Sequence, residues 1–157
     1  MSAYNAVKHV LIIRGNESYQ WPDSSCVSLV FWICRLMHWE RPTGWDDYLE
    51  LSEAKATALC IQDHTTLSQG HGYILRKAGW VDVDSRLPGD MLLTDDQFET
   101  RNGSVYAPAD PRCGAMLMVG LDPRDLWTFT DTKLDKLKTD VTPAAILRHH
   151  SQETRNG

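Results

Sequence analysis

The stretch that most constrains the fold is Cys26-Val-Ser-Leu-Val-Phe-Trp-Ile-Cys-Arg-Leu-Met37, an apolar run interrupted only by Ser28 and Arg35. Asp23, Ser24 and Ser25 precede it, residue types whose side-chain oxygens accept the N–H groups left unpaired in a helix's first turn. A helix that is apolar all round has to be buried, and this one is too short and too interrupted to span a bilayer. The run therefore predicts a central core helix with Cys26 in its first turn. Unpaired N–H groups and the helix dipole lower a thiol's pKa there, which is how cysteine nucleophiles are made. The same pattern also suits an inert cysteine packed as a small hydrophobe, and position alone does not separate the two.

The chain has 157 residues, enough for one domain with a sizeable core. We place that domain at residues 1–150 and a frayed tail at 151–157. A hydrophobic content of 42% and a net charge of -5 describe a globular protein. With 16 Lys+Arg against 21 Asp+Glu and no basic block, nucleic acid is not an expected partner. Cys26, Cys34, Cys60 and Cys113 lie too far apart for a CxxC motif, and no apolar leader precedes them. They read as reduced thiols in a cytoplasmic product. Trp21, Trp32, Trp39, Trp45, Trp80 and Trp127 are many for this length; most should fill the core, and exposed ones are candidates for a protein contact.

Ala6, Val7, Val10, Leu11 and Ile13 recur at helical spacing over Ala3 to Arg14, ahead of Gly15-Asn16. Asn16 to Pro22 then forms a connector, with Tyr19 and Trp21 alternating as in a short extended segment. Arg41-Pro-Thr-Gly44 is a turn, Trp45–Leu51 and Ser52–Ile61 read as one or two short helices, and Thr65–Ala78 reads as a helix stopped by Gly79. Gly70 and Gly72 predict an irregular first half for it. After Gly79 the period becomes that of strands: Trp80–Asp84, Met91–Leu93, Ala115–Val119 and Leu126–Thr130. Thr94–Arg112, rich in Asp, Gly and Pro, is expected to be a long surface loop. Thr142-Pro143 offers a cap residue and a first-turn proline, so 142–148 is expected to be a short helix. Helices first and strands after predict an α+β fold, N-terminal helices packed on one face of an antiparallel sheet.

Tyr19-Gln-Trp21, followed by Ser25-Cys26 and the aromatic Phe31-Trp32, stands ahead of Pro88-Gly89-Asp90-Met-Leu-Leu93 and then Cys113-Gly114-Ala-Met-Leu-Met-Val-Gly120. This succession resembles the papain-like cysteine peptidases of the NlpC type, and more closely a group of small phage proteins related to them. The resemblance runs from Ala3 to about Lys138. It implies a papain-like fold, synthesis in a host cytoplasm and a place in the virion tail, where such proteins sit at the tail tip and some cut peptidoglycan cross-links.

A thiol amidase needs a base beside its nucleophile and a polar group to orient that base. The resemblance puts the base on a strand after the cysteine helix, yet His9, His38, His64, His71, His149 and His150 leave the whole interval of strand candidates without a histidine. Arg112, Cys113 and Gly114 stand where the base would be, and Ser25 replaces the Asp that usually precedes the nucleophile. These departures favour a vestigial Cys26 in a pseudoenzyme: a structural or assembly component of a phage tail tip that binds other tail-tip proteins through aromatic anchors and the 94–112 loop. The alternative is an active cell-wall amidase or endopeptidase acting on peptidoglycan, with Cys26 as nucleophile and His71 or His64 as base if their segment folds over the helix mouth. Otherwise these two are surface histidines. A third reading is a small adaptor in an unrelated cytoplasmic complex. No cofactor and no metal is expected, since His149-His150 has no paired ligand at defined spacing and reads as a solvated tail. No membrane span is expected either.

Overall fold

The structure is a computed structural model, and it describes residues 1–62, 64, 66–106 and 116–152. Arg112, Cys113 and Gly114, the start of the Ala115 strand, Asp63, Thr65 and the tail beyond residue 152 lie outside the described residues. Among the described residues four α-helices come first: α1 (Ala3–Arg14), α2 (Cys26–Met37), α3 (Glu53–Cys60) and α4 (Leu67–Lys77). Eight strands follow among the described residues: β1 (Trp80–Asp82), β2 (Met91–Leu93), β3 (Phe98–Glu99), β4 (Val105–Tyr106), β5 (Met116–Val119), β6 (Leu126–Phe129), β7 (Leu134–Lys136) and β8 (Ala145–His149). Six of them make a sheet in the order β1-β8-β2-β5-β6-β7, every pairing antiparallel, and β3 and β4 form a separate hairpin. The α+β arrangement expected from the sequence is what the chain adopts.

The sheet sorts its side chains by the two-residue period of a strand. Met91, Leu93, Met116, Met118, Phe129, Leu134 and Leu147 point to the helix face and share a core with Val7, Val10, Leu29, Val30 and Ile33. Leu92, Leu117, Val119, Leu126 and Ile146 point to the other face, covered by Phe98 and Tyr106 of the hairpin and by Leu137 and Val141. Register agrees with this division, since Leu92 lies opposite both Leu117 and Ile146. The sheet thus has helices on one side and the hairpin on the other.

Several expectations are corrected. Residues 142–148 are not a helix: Ala145–His149 is strand β8, inserted between β1 and β2. Its apolar residues are buried on both faces, and such a strand is as continuously apolar as a buried helix, so periodicity does not distinguish the two. The 94–112 segment is not only loop, because β3 and β4 lie within it. Between Trp45 and Leu51 there is no α-helix, only turns following a single 3-10 turn over Thr43–Trp45. Helix α4 is regular through Gly70 and Gly72. Ser151 and Gln152 are helical where the frayed tail was expected to begin. In α1, Ala6, Val7 and Val10 are buried as expected, but Ile13 joins Ile12 in solvent. In α2, Phe31, Trp32, Leu36 and Met37 are only half-buried, so the helix is not enclosed on all sides.

The buried ion pair between Asp90 and Arg148 ties the sheet together. Arg148 on β8 points away from the helices, as Ile146 does, and its Nη2 lies 2.8 Å from Oδ2 of Asp90 just ahead of β2. Asp90 also accepts the Leu87 N–H at 2.8 Å, while Arg148 donates to the Ser85 carbonyl at 3.0 Å. These extra hydrogen bonds compensate two charges that burial alone would penalise heavily.

Candidate functional site

Helix α2 begins at Cys26, as the sequence predicts, and Ser25 is its N-cap. The Ser25 hydroxyl accepts the Ser28 N–H at 3.4 Å while the Ser25 N–H donates to Ser28 Oγ at 2.9 Å, a reciprocal capping box built from two serines. This explains the Ser25 position in local terms: a serine there closes the helix end and also donates to the Pro22 carbonyl at 3.0 Å.

Cys26 is buried, and it lines a cavity of about 20 Å³ with Trp21, Trp45, Tyr48, Cys60 and His71. A space that size accepts about one water molecule and no substrate. Trp21 is fixed over it by an indole N–H donated to the Leu51 carbonyl at 3.1 Å, and Trp45, 1% exposed, fills the other side. The expectation of a lowered thiol pKa is reversed. Burial pushes Cys26 up to about 12, helped by the neighbouring Cys60; the Val27 and Cys26 N–H groups at the helix start act in the lowering direction but are outweighed. Cys34 and Cys60 are likewise pushed up by burial, to about 12 and about 11.

His71 is not a surface histidine. It is 4% exposed on the inner face of α4, edge-on to Trp45 with ring centroids 5.6 Å apart, and it lines the Cys26 cavity. Burial drops its pKa to about 4, so the ring is neutral at physiological pH. Its Nδ1 is buried without a hydrogen-bond partner, as is Trp45 Nε1. Two neutral groups thus face one cavity, with no hydrogen bond between them among the described residues. His64 lies elsewhere: its ring is 5.3 Å from Tyr73, which is 50% exposed and two residues from His71 on α4, hence on the opposite face.

Gly70 brings α3 against α4 and so sets Cys60 into the cavity. A Cβ on Gly70 would collide with the Cys60 carbonyl oxygen and stand 2.7 Å from Cys60 Sγ. Close approach, and not helix weakness, is the reason for this glycine.

Matching of the chain against protein-family models, curated proteins and solved structures finds no similar protein.

The second half of α2 builds a different surface. Phe31, Trp32 and Arg35 project from it beside Trp39 and Arg41, around a groove of about 390 Å³ with the buried Cys34 at its base. The Arg14 guanidinium sits 4.2 Å from the Trp32 ring centroid, Arg35 sits 5.6 Å from it, and Arg41 sits 5.2 Å from that of Phe31. His149, expected in a solvated tail, is buried at the end of β8 and stacked on Trp39 at 4.0 Å, with Trp80 edge-on at 5.7 Å. Of the six tryptophans only Trp45 and Trp80 are fully buried. Among the described residues no group of three or more His, Cys, Asp or Glu is placed to hold a metal ion, and no helix is long and apolar enough to cross a membrane.

Proposed function

We propose that this chain is a non-catalytic, protein-binding component of a phage tail tip, built on an NlpC-type papain-like scaffold whose thiol centre has closed. The observation that carries the reading is the buried state of Cys26: a thiol with its pKa near 12, in a cavity with room for one water, facing an imidazole too weakly basic to deprotonate it. At neutral pH the thiolate fraction of such a group is roughly one in 10⁵, and a peptide bond has no access to it. The scaffold assignment is supported by the cysteine-headed helix packed on β5 and by the antiparallel succession β2-β5-β6 that follows Gly89-Asp90.

The test is the Cys26→Ala variant. Particle assembly and infection proceed normally with it on this reading; loss of infectivity from particles that incorporate the folded variant would sink it. A monomer with no affinity for any tail protein would point instead to an unrelated adaptor.

One observation favours a second reading, an active peptidoglycan amidase or endopeptidase: His71 and Cys26 line the same cavity, so displacement of Trp21 or Trp45 would expose both. That reading requires purified protein to release new amines from peptidoglycan and iodoacetamide to stop it.

A further inference from the structure

We propose that the groove over the second half of α2 is a docking site for an acidic segment of a partner protein, held by Arg35 and Arg41. This rests on the reading of the chain as a protein-binding component and names the surface and the chemistry of its partner.

The groove is held in shape by its own backbone. His38 ends α2 in a left-handed conformation, φ 58°, with its N–H on the Arg35 carbonyl and the Trp39 N–H on the Cys34 carbonyl at 2.8 Å. These are the paired bonds of a Schellman-type helix end. They fix Trp39 beside Arg35, and the stack on His149 holds its ring. Opposite, guanidinium groups lie over the aromatic faces: Arg14 and Arg35 over Trp32, Arg41 over Phe31. The guanidinium groups keep hydrogen-bonding capacity there, and their planar fork matches a carboxylate.

Arg14 is already committed, donating to Glu17 at 2.8 Å and to the Asp23 carbonyl at 2.9 Å. Arg41 is paired with Asp46 at 2.9 Å, but its side chain is 55% exposed. Arg35 is exposed, and among the described residues no carboxylate pairs with it. Glu40, exposed, lines a separate neighbouring pocket with Arg41 and Lys77. An arginine held against tryptophan with no carboxylate paired to it among the described residues is complementary to a negatively charged group. Rings around the groove add the apolar area that anchors a peptide, and Trp and Arg are the residues that dominate such contacts. The occupant is therefore a peptide segment with Asp or Glu beside an apolar or aromatic side chain.

The experiment is selection of a random dodecapeptide library on the immobilised full-length protein, followed by titration of the selected peptides against Arg35→Gln, Arg35→Lys and Arg41→Gln variants. Enrichment of Asp or Glu next to apolar residues is expected. Affinity should fall about threefold or more in Arg35→Gln, be partly restored in Arg35→Lys, and weaken as salt rises from about 0.05 to 0.5 M. Both positions are exposed, and an unchanged thermal midpoint verifies folding. No enrichment, enrichment without acidic residues, or unchanged binding by Arg35→Gln overturns the proposal. Preferential binding of chitohexaose or inorganic phosphate overturns it too. Failure here alongside normal incorporation of the protein into tail tips removes only this surface; acidic-peptide binding by a protein absent from tails removes the tail-tip reading and leaves the surface.

Discussion

Asp90 and Arg148 meet as a buried ion pair across 58 residues of sequence, the Arg148 Nε 3.0 Å from Oδ1 and Nη2 2.8 Å from Oδ2 of the same carboxylate. One partner precedes β2 and the other lies on β8, so the contact closes the centre of the sheet. Asp90→Asn is expected to destabilise the fold by about 3–5 kcal/mol, because it leaves the Arg148 charge buried without its counterion. The midpoint of urea unfolding measures this. A loss below about 1 kcal/mol would show that the carboxylate's charge is not needed there.

Gly70→Ala is expected to cost on the order of 1–3 kcal/mol, since the new methyl group meets the Cys60 backbone and helix α3 has to move outward. Helix propensity alone predicts the opposite sign, a gain of up to about 1 kcal/mol for replacing a glycine inside a helix. Thermal unfolding of the single variant decides between packing and propensity.

The sequence made the helical half legible because its signals were local. Ser25 ahead of Cys26 is a cap residue that the structure uses as a cap, so the start of α2 was readable, whereas α4 begins at Leu67, after the Thr65 expected for it. Strand β8 was not, because Thr142-Pro143 imitates a helix start and Ile146-Leu147 is buried from two sides. Its identity depends on pairing with β1 and β2, more than 50 residues away. The thiol's environment was hidden for the same reason. Being first in α2 suggested a lowered pKa, whereas burial among residues that chain folding brings over it, Trp21 and Trp45 included, and the nearby Cys60 push it up. His71 carried no usable local signal, because Gly70 and Gly72, two residues apart, lie on opposite sides of α4 and meet different neighbours. The α2 groove left only its composition: Phe31, Trp32, Arg35, Trp39 and Arg41 within eleven residues.

Acidification is expected to destabilise the protein through two histidines. His71 and His149 each have a folded pKa of about 4, lowered by burial and, for His149, also by His150 nearby. Both are neutral in folded and unfolded chains above about pH 7.5 and contribute almost no pH dependence there. As pH falls from about 6.5 to 4 the unfolded chain takes up protons that the folded chain refuses, so stability drops across this window and levels off below it. The loss is on the order of 1–3 kcal/mol per histidine. Urea midpoints at about pH 7 and pH 5 measure it, and His71→Leu should flatten the difference. An unchanged slope in that variant would mean that His71 is protonated in the fold.

Alkylation reports directly on whether the thiol centre is closed. A free thiol has a pKa near 8.5 and reacts readily with iodoacetamide at about pH 8, but Cys26 is held near 12 by burial under Trp21 and Trp45. Both the small thiolate fraction and the restricted access slow the reaction. In the native protein Cys26 is expected to label at least about 100-fold more slowly than in the urea-unfolded chain, with Cys34 and Cys60 protected alongside it, as peptide mass spectrometry can resolve. Trp21→Ala opens the cavity mouth and should accelerate Cys26 labelling while leaving Cys34, on the groove side of α2, slow. Labelling of native Cys26 at the unfolded rate would place its sulfur in solvent and remove the observation on which the non-catalytic reading rests.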